Sequence, residues 1–259
     1  MAALMGASVW IFTSASLTEA RAYRQATRSL ELSEHHDPAP INALPPLIAA
    51  IALAIIGVEV VFQAGARGLA GGPEAVGWRI AAIEQYGFSN RALAWMLETG
   101  SWRLDFLSRF LTYPFVHSSL MHALFAMVMV LAIGKFVGER MAQWAVLILF
   151  FGSSVIGALV FGLLFPEGPG LFGAYPGVYG LIGGFTCLMW LYLGMAGENQ
   201  ARAFSMIGIL LGLQLFFALL YGDDKTWVAD VAGFVSGFFM SFVLLPGGWR
   251  LLRQKLRQR

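Results

Sequence analysis

The sequence predicts an all-α membrane protein, a bundle of six transmembrane helices with a long first external loop. Of the 259 residues, 58% are hydrophobic and 12% are charged, which is more apolar surface than one water-soluble core can bury. The hydrophobic residues also recur in separate stretches of about 20 residues, the length that a helix needs to cross a bilayer. These two observations together indicate a polytopic membrane protein.

Six stretches have this length, and they define one membrane domain over residues 46–245. The residues before it, 1–45, are predicted to form an N-terminal cytoplasmic segment and linker. The first 16 residues are apolar but lack a preceding basic region and a clear cleavage site, so we predict neither a signal peptide nor a span there. The predicted spans cover residues 46–65, 118–137, 142–165, 176–195, 203–221 and 227–245.

The charged residues predict the orientation. Six spans place both termini on one side of the membrane, and the densest basic cluster lies in the tail, residues 246–259. By the positive-inside rule that side is cytoplasmic, and we expect a multi-pass protein of a bacterial inner (plasma) membrane with the lipid bilayer as its first partner. Basic residues lie at helix ends and in this tail rather than in a mixed basic and aromatic patch, so no nucleic-acid partner is expected.

The first loop, roughly residues 65–117, carries tryptophans among alternating arginine and glutamate residues. Such a segment is typical of short helices that lie in the headgroup region of a bilayer. The tryptophans are Trp78, Trp95 and Trp102.

Among the polar or reactive side chains within the spans are Glu59, Gln214 and Cys187. Glu59 is an intramembrane carboxylate, for which a functional role stays open; the plainer alternatives are that it reaches water or pairs with an arginine of the first loop. Gln214 is expected to hold helices together by hydrogen bonding. Cys187 is the single cysteine, and we expect it to pack as a small hydrophobic residue.

The segment from Gly173 to Gly180 reads Gly-Ala-Tyr-Pro-Gly-Val-Tyr-Gly. It resembles the turn that carries the nucleophile in the rhomboid family of intramembrane serine proteases, where Gly-x-Ser-Gly opens the fourth span. The resemblance places Tyr175 at the serine and Pro176 at the following glycine. Tyr179 falls on a tyrosine of the family pattern, so the register of the segment is retained while its nucleophile is replaced.

The sixth and second spans resemble the same family. In Ala229-Asp230-Val231-Ala232-Gly233-Phe234-Val235-Ser236-Gly237, Asp230 stands where the family has the histidine base. The two glycines keep the spacing that lets helix backbones approach closely. In the second span His117 and His122 match two family histidines, and Ala126 replaces an asparagine that helps to hold the oxyanion. We therefore predict that Tyr175 and Asp230 face each other.

The resemblance extends into the first loop, where Arg109-Phe110-Leu111-Thr112 corresponds to an aromatic and arginine pair of the family. A plain interfacial anchor is an equally good interpretation of Arg109.

The substitutions remove the chemistry of a serine protease. Cleavage needs an imidazole that takes the hydroxyl proton and returns it to the leaving amine. A substitute pair of Tyr175 and Asp230 faces a pKa mismatch between ~10 and ~3.9, or roughly 8 kcal/mol against proton transfer. The plainer alternative is a structural hydrogen bond from the Tyr175 hydroxyl to Asp230 or His122.

Other chemistry has weaker support. The span serines, such as Ser153 and Ser236, are expected to bond to their own or a neighbouring helix. His117, His122 and Asp230 could converge to bind a metal, but the family pattern already explains both histidines. We predict no metal and no cofactor.

Three functions remain open. The first is an inactive rhomboid-like protein that binds or stabilises another membrane protein through a transmembrane segment, with His117, His122 and Tyr179 lining the retained site. The second is a rhomboid-type intramembrane serine endopeptidase. The third is a structural subunit of a membrane complex.

Overall fold

The computed structural model describes residues 44–221 and 225–245. Within these ranges the chain is helical, apart from turns and one isolated antiparallel bridge between Phe88 and Leu171. The predicted N-terminal segment, the predicted basic tail and the acidic residues Asp223 and Asp224 lie outside the described residues.

Six long helices lie close to the predicted spans, and they confirm the predicted bundle of a multi-pass membrane protein. Five of those described have at least 18 residues and are apolar enough to cross a membrane, whereas α8 is slightly shorter at 17 residues. The long helices are α1 (Pro46–Ala66), α5 (Leu120–Gly138), α6 (Gln143–Leu164), α7 (Tyr175–Met195), α8 (Ser205–Tyr221) and α9 (Trp227–Leu244).

The first loop contains short helices, as predicted. They are α2 (Trp78–Tyr86), α3 (Asn90–Thr99) and α4 (Leu104–Thr112). Short 3-10 turns, Pro73–Gly77 and Tyr113–Phe115, precede α2 and follow α4. Their placement in the headgroup region stays a prediction.

The bridge between Phe88 and Leu171 attaches the first loop to the helical bundle. Each backbone N–H donates to the carbonyl of the other residue at 2.9 Å. The Phe88 ring also packs on Phe110, with the ring centroids 4.9 Å apart. The loop is therefore joined to the segment between α6 and α7, close to the turn that begins at Gly173.

Helices α7 and α9 run parallel with their backbones in close contact. A methyl group added at Gly233 would collide with the backbone of Pro176, and one added at Gly237 would collide with the backbone of Gly180. The predicted role of these two glycines is thus confirmed. Only glycine permits this approach, because any side chain would push the helices apart.

Helix α6 completes the tightly packed centre of the bundle. A methyl group at Gly157 would lie 2.7 Å from the carbonyl oxygen of Ala229. The Ser154 hydroxyl donates to the carbonyl of Phe150 at 2.8 Å, and the Ser236 hydroxyl donates to the carbonyl of Gly233 at 2.9 Å. These bonds confirm the structural role expected for the span serines, and the buried, free Cys187 packs as expected.

We expect Gly237→Ala to destabilise the protein, because the added methyl group overlaps the backbone oxygen of Gly180. Overpacking of this kind costs about 1–3 kcal/mol, measurable as a lower midpoint of thermal unfolding in detergent micelles. Gly57→Ala is the matched control, since a methyl group there meets nothing within 4 Å. Equal midpoints for the two variants would contradict the close contact of α7 and α9.

Candidate functional site

The candidate site lies at the end of the bundle where α5, α7 and α9 begin. The parallel contact of α7 and α9 brings the first turns of these two helices side by side. His122, in the first turn of α5, packs against Tyr175, the first residue of α7. The structure therefore brings together the second, fourth and sixth spans, as the sequence resemblance implied.

The turn before α7 depends on a glycine. Gly173 has φ +94°, a backbone conformation that favours glycine. A methyl group at this position would lie 2.8 Å from Cε1 of His122. The Gly173 N–H donates to the carbonyl of Tyr113 at 2.9 Å, and the Ala174 N–H donates to Nε2 of His117 at 3.3 Å. Both hydrogen bonds hold the turn against the segment that precedes α5.

Tyr113 supports the turn from a fully buried position. Its carbonyl accepts from Gly173, and its hydroxyl donates to the backbone carbonyl of Ser154 in α6 at 2.8 Å. Burial raises the pKa of the Tyr113 phenol well above its ordinary range, and the nearby carboxylate of Asp230 acts in the same direction. This tyrosine was not found from the sequence, because nothing in its local pattern points to α6.

Helix α7 begins at Tyr175 with Pro176 in its first turn. Proline is favoured there because the missing N–H is not needed by the helical hydrogen bonds. The carbonyl side of Pro176 is the part of the backbone that Gly233 approaches. Pro176 therefore stabilises the first turn of α7, and its backbone forms part of the close contact with α9.

The side chain of Tyr175 stacks on the ring of His122. The ring centroids are 4.9 Å apart and the planes differ by 13°. Among the described residues no hydrogen bond joins the Tyr175 hydroxyl to Asp230 or to His122, so the predicted hydrogen bond is wrong. In a stacked pair the phenol hydroxyl lies in the plane of its own ring, and it cannot reach the lone pair in the plane of the imidazole.

Asp230 is bonded to a residue that the sequence did not connect with it. Nε2 of Gln214, in α8, donates to Oδ2 of Asp230 at 2.7 Å, and Asp230 is 6% exposed. The expected role of Gln214 in holding helices together is confirmed. Asp230 also interacts electrostatically with the phenols of Tyr175 and Tyr179, and the direct facing of Tyr175 and Asp230 stays a prediction.

The two histidines hold their protons on different ring atoms. His117 accepts the Ala174 N–H at Nε2, so its proton belongs on Nδ1. His122 accepts the backbone N–H of Ser118 at Nδ1, at 3.3 Å, so its proton belongs on Nε2. These tautomers follow from the hydrogen bonds.

Burial lowers the pKa of His117 to about 4, with a smaller contribution from neighbouring His122. His117 is only 1% exposed and is therefore neutral at pH 7. A neutral imidazole keeps Nε2 free to accept the Ala174 N–H.

A buried ion pair connects the first helix to the entrance of α5. Glu59, in α1, is 1% exposed and accepts two hydrogen bonds from the Arg79 guanidinium, at 2.7 and 2.8 Å. Arg79 also donates to the backbone carbonyl of His117 at 2.7 Å, and Gln63 donates to Glu59 at 2.8 Å. The expectation that Glu59 pairs with an arginine of the first loop is confirmed, whereas the contact with His117 was not anticipated.

The remaining residues singled out in the sequence lie in apolar or aromatic surroundings. Ala126 is fully buried in the apolar core, where its methyl group supplies no hydrogen-bond donor. Tyr179 is 5% exposed and packs in the same core. Arg109 stacks over the Phe106 ring, 5.2 Å from its centroid, and contacts the carbonyl of Gly87 at 3.5 Å.

His117, His122 and Asp230 do not form a metal site. In the part of the chain that the structure describes, no three histidine, cysteine or acidic side chains are grouped so that they could hold a metal ion.

We expect Arg79→Met to destabilise the protein by about 3–5 kcal/mol, because it leaves the buried Glu59 carboxylate without its cation. Thermal unfolding in detergent micelles measures the loss. The double variant Glu59→Gln with Arg79→Met is expected to recover most of it, since no charge is then buried. A double variant no more stable than Arg79→Met would argue against the ion pair as the cause.

Stability is expected to fall as the pH drops from about 6.5 to about 4. The pKa of His117 is about 4 in the folded protein, against an ordinary value of 6.5, so within this window the unfolded chain takes up a proton that the folded chain does not. The full difference is ~3 kcal/mol. Unfolding measured across this range should depend less on pH in His117→Gln, whose amide can still accept the Ala174 N–H. Identical pH profiles would exclude His117 as the source.

Comparison with known proteins agrees with this geometry. The family model described as "Rhomboid domain" matches residues 105–247, more than half of the chain. Rhomboid-like protease 3 of Toxoplasma gondii is 27% identical over 131 residues, which are 51% of this chain and 49% of that protein. The chain thus spans about half the length of the curated relative it matches. The family match contains the helices that build the site and the turn before Tyr175, and the chain belongs to the rhomboid family.

Proposed function

We propose that this chain is a catalytically inactive rhomboid-like protein that binds or stabilises another membrane protein. The observation that carries the proposal is which residues stand at the two positions that match the catalytic serine and histidine of the family, and what these residues contact. Tyr175 occupies the position of the nucleophile and its ring covers His122, while Asp230 occupies the position of the base and is bonded to Gln214. Neither position holds the serine or the histidine that a serine protease uses for proton transfer to and from its nucleophile.

The packing around the Gly173 turn supports the view that the chain keeps a rhomboid-like fold although its catalytic residues are replaced. The Gly173 turn, the parallel contact of α7 and α9 and the two histidines remain in a rhomboid-like arrangement. A fold of this kind can present a surface to a transmembrane segment even when its reactive groups are replaced, because binding and catalysis depend on different atoms.

The rival function is an intramembrane serine endopeptidase. A nucleophilic serine needs a hydroxyl within hydrogen-bond reach of a base. Among the described residues, the serine hydroxyl bonded to a histidine is that of Ser118, 3.2 Å from Nδ1 of His122. The backbone N–H of Ser118 binds the same nitrogen, so this atom already serves as the acceptor of a local turn. The pair therefore resembles a structural cap more than an activated nucleophile.

Purified protein incubated with a fluorophosphonate probe and with a panel of transmembrane substrates tests the proposal. We expect neither labelling nor cleavage, under conditions in which an active rhomboid protease shows both. Two variants identify the source of any reaction: Tyr175→Phe removes the phenol hydroxyl, and Ser118→Ala removes the serine hydroxyl beside His122. Labelling that disappears in either variant would overturn the proposal and identify the nucleophile.

A single Tyr175→Ser substitution is expected to leave the protein unreactive toward the same probe. Position 230 would still hold a carboxylate in place of the imidazole base, and Ala126 still supplies no oxyanion donor. Probe labelling of Tyr175→Ser above the level of Tyr175→Ala would show that the remaining site can activate a serine.

The third candidate, a structural subunit of a membrane complex, differs in the stoichiometry of its partners. Mild solubilisation followed by co-purification should recover several substoichiometric membrane proteins if the chain binds clients. One partner at a fixed ratio to the chain would favour the structural subunit instead.

A further inference from the structure

His117 joins the segment before α5 to the turn before α7 by a hydrogen bond that only a neutral imidazole can make. Its Nε2 accepts the Ala174 N–H at 3.3 Å. A protonated imidazole carries a donor on both ring nitrogens and has no acceptor. Uptake of a proton at Nε2 would therefore break this contact and set two N–H groups against each other.

The His117 side of this contact is firmly held. The backbone carbonyl of His117 accepts from the Arg79 guanidinium at 2.7 Å, and Arg79 is fixed in turn by two hydrogen bonds to the buried Glu59. Hydrogen bonds from a charged donor are roughly twice as strong as neutral ones. The backbone of His117 therefore stays in place when the contact with Ala174 breaks.

On the α7 side, the part that can move is two residues long, Ala174 and Tyr175. It lies between Gly173, whose N–H is bound to a backbone carbonyl, and Pro176, whose backbone lies against α9. Gly173 has φ +94°, and a glycine can change its backbone dihedral angles at little steric cost. Gly173 is therefore the residue about which this short segment can turn.

The surroundings of His117 oppose a positive charge while the turn is closed. The side chain is 1% exposed, so a proton taken up there would have no water around it. The charged and titratable groups that act on His117 are His122, with the ring centroids 5.2 Å apart, Arg79 and Glu59. Arg79 and His122 disfavour a further positive charge, and the Glu59 carboxylate, which favours one, is already paired with Arg79.

We propose that His117 is an acid-sensitive latch on the turn before α7. At neutral pH the imidazole holds the Ala174 N–H and the turn is closed. On acidification the imidazole takes up a proton, the Ala174 N–H loses its acceptor, and the turn opens about Gly173. The ring of Tyr175, the residue after Ala174, is then released from its stack on His122.

The consequence for a client rests on the proposed function. His122 and Tyr179 belong to the site proposed for a client segment, and the stacked ring of Tyr175 covers His122. Opening of the turn would uncover this part of the site on an acidic side of the membrane. The motion of the turn itself needs no client, so the latch can be tested without one.

The size of the effect follows from proton linkage. The pKa of His117 is about 4 with the turn closed, against an ordinary value of 6.5 for an imidazole in contact with water. At pH 5 the open form therefore takes up a proton that the closed form does not hold. The open fraction is expected to be about twentyfold larger at pH 5 than at pH 7.

Hydrogen exchange followed by mass spectrometry in lipid nanodiscs tests the inference. A fragment that covers residues 172–176 reports the N–H groups of the turn, and an unstructured peptide of the same sequence supplies the reference rate at each pH. We expect protection of the Ala174 N–H to fall about twentyfold from pH 7 to pH 5. A fragment of α7 that covers residues 180–187 should stay far more protected at both pH values, which separates local opening from unfolding of the bundle.

Two variants identify the group that takes up the proton. His117→Gln keeps an acceptor for the Ala174 N–H at every pH, and we expect protection of its turn to be the same at pH 7 and pH 5. His122→Gln should keep the pH dependence, although loss of the stack on Tyr175 lowers protection at both pH values. Thermal unfolding at pH 7 confirms that each variant is folded, and the parent protein with His122→Gln decides the matter if His117→Gln is not.

Constant protection of the turn in the parent protein between pH 7 and pH 5 would overturn the inference. A pH dependence that survives in His117→Gln, or one that disappears in His122→Gln, assigns the proton to another group and also rejects the latch. None of these results bears on the proposed function, which fails instead if the fluorophosphonate probe labels the protein.

Discussion

The ion pair between Glu59 and Arg79 connects the parts of the chain that build the site. Glu59 lies inside the bundle on α1 and Arg79 comes from the first loop, so the pair fixes the loop against the first helix. The same guanidinium binds the carbonyl of His117, and His117 in turn holds the backbone of Ala174. A charge buried in α1 is thus linked through three contacts to the turn at which α7 begins. A loop fixed in this way cannot shift without exposing a carboxylate to apolar surroundings.

Much of the fold follows from local properties of the sequence. The span boundaries follow from stretches of apolar residues, and the spacing of Gly233 and Gly237 indicates a helix that packs closely on α9. The resemblance to the family identified α7 as that helix. Two hydrogen bonds were not predicted from the sequence. One joins Gln214 to Asp230, and the other joins the Tyr113 hydroxyl to the carbonyl of Ser154 in α6. In both cases a common residue type meets a partner far away in the chain, and no local pattern marks such a contact.

The wrong expectation for Tyr175 has a different cause. The register of the motif places Tyr175 and His122 next to each other correctly, but register does not fix how two rings meet. An aromatic residue beside an imidazole can donate a hydrogen bond or stack face to face. The structure shows the stacked arrangement, which buries both rings against each other and leaves Asp230 to bind Gln214. The replacement at the nucleophile position is thus accommodated by packing, and the replacement at the base position by a bond to another helix.

The left-handed turn at Gly173 shows which part of the motif the fold itself requires. Its glycine is demanded by the positive φ of the turn and by the ring of His122, which occupies the space that a side chain would need. None of these demands involves a nucleophile. Selection for stability alone would keep this glycine, and the same holds for the glycines between α7 and α9. A sequence search weighted toward glycines would therefore find this scaffold whichever residues stand at positions 126, 175 and 230.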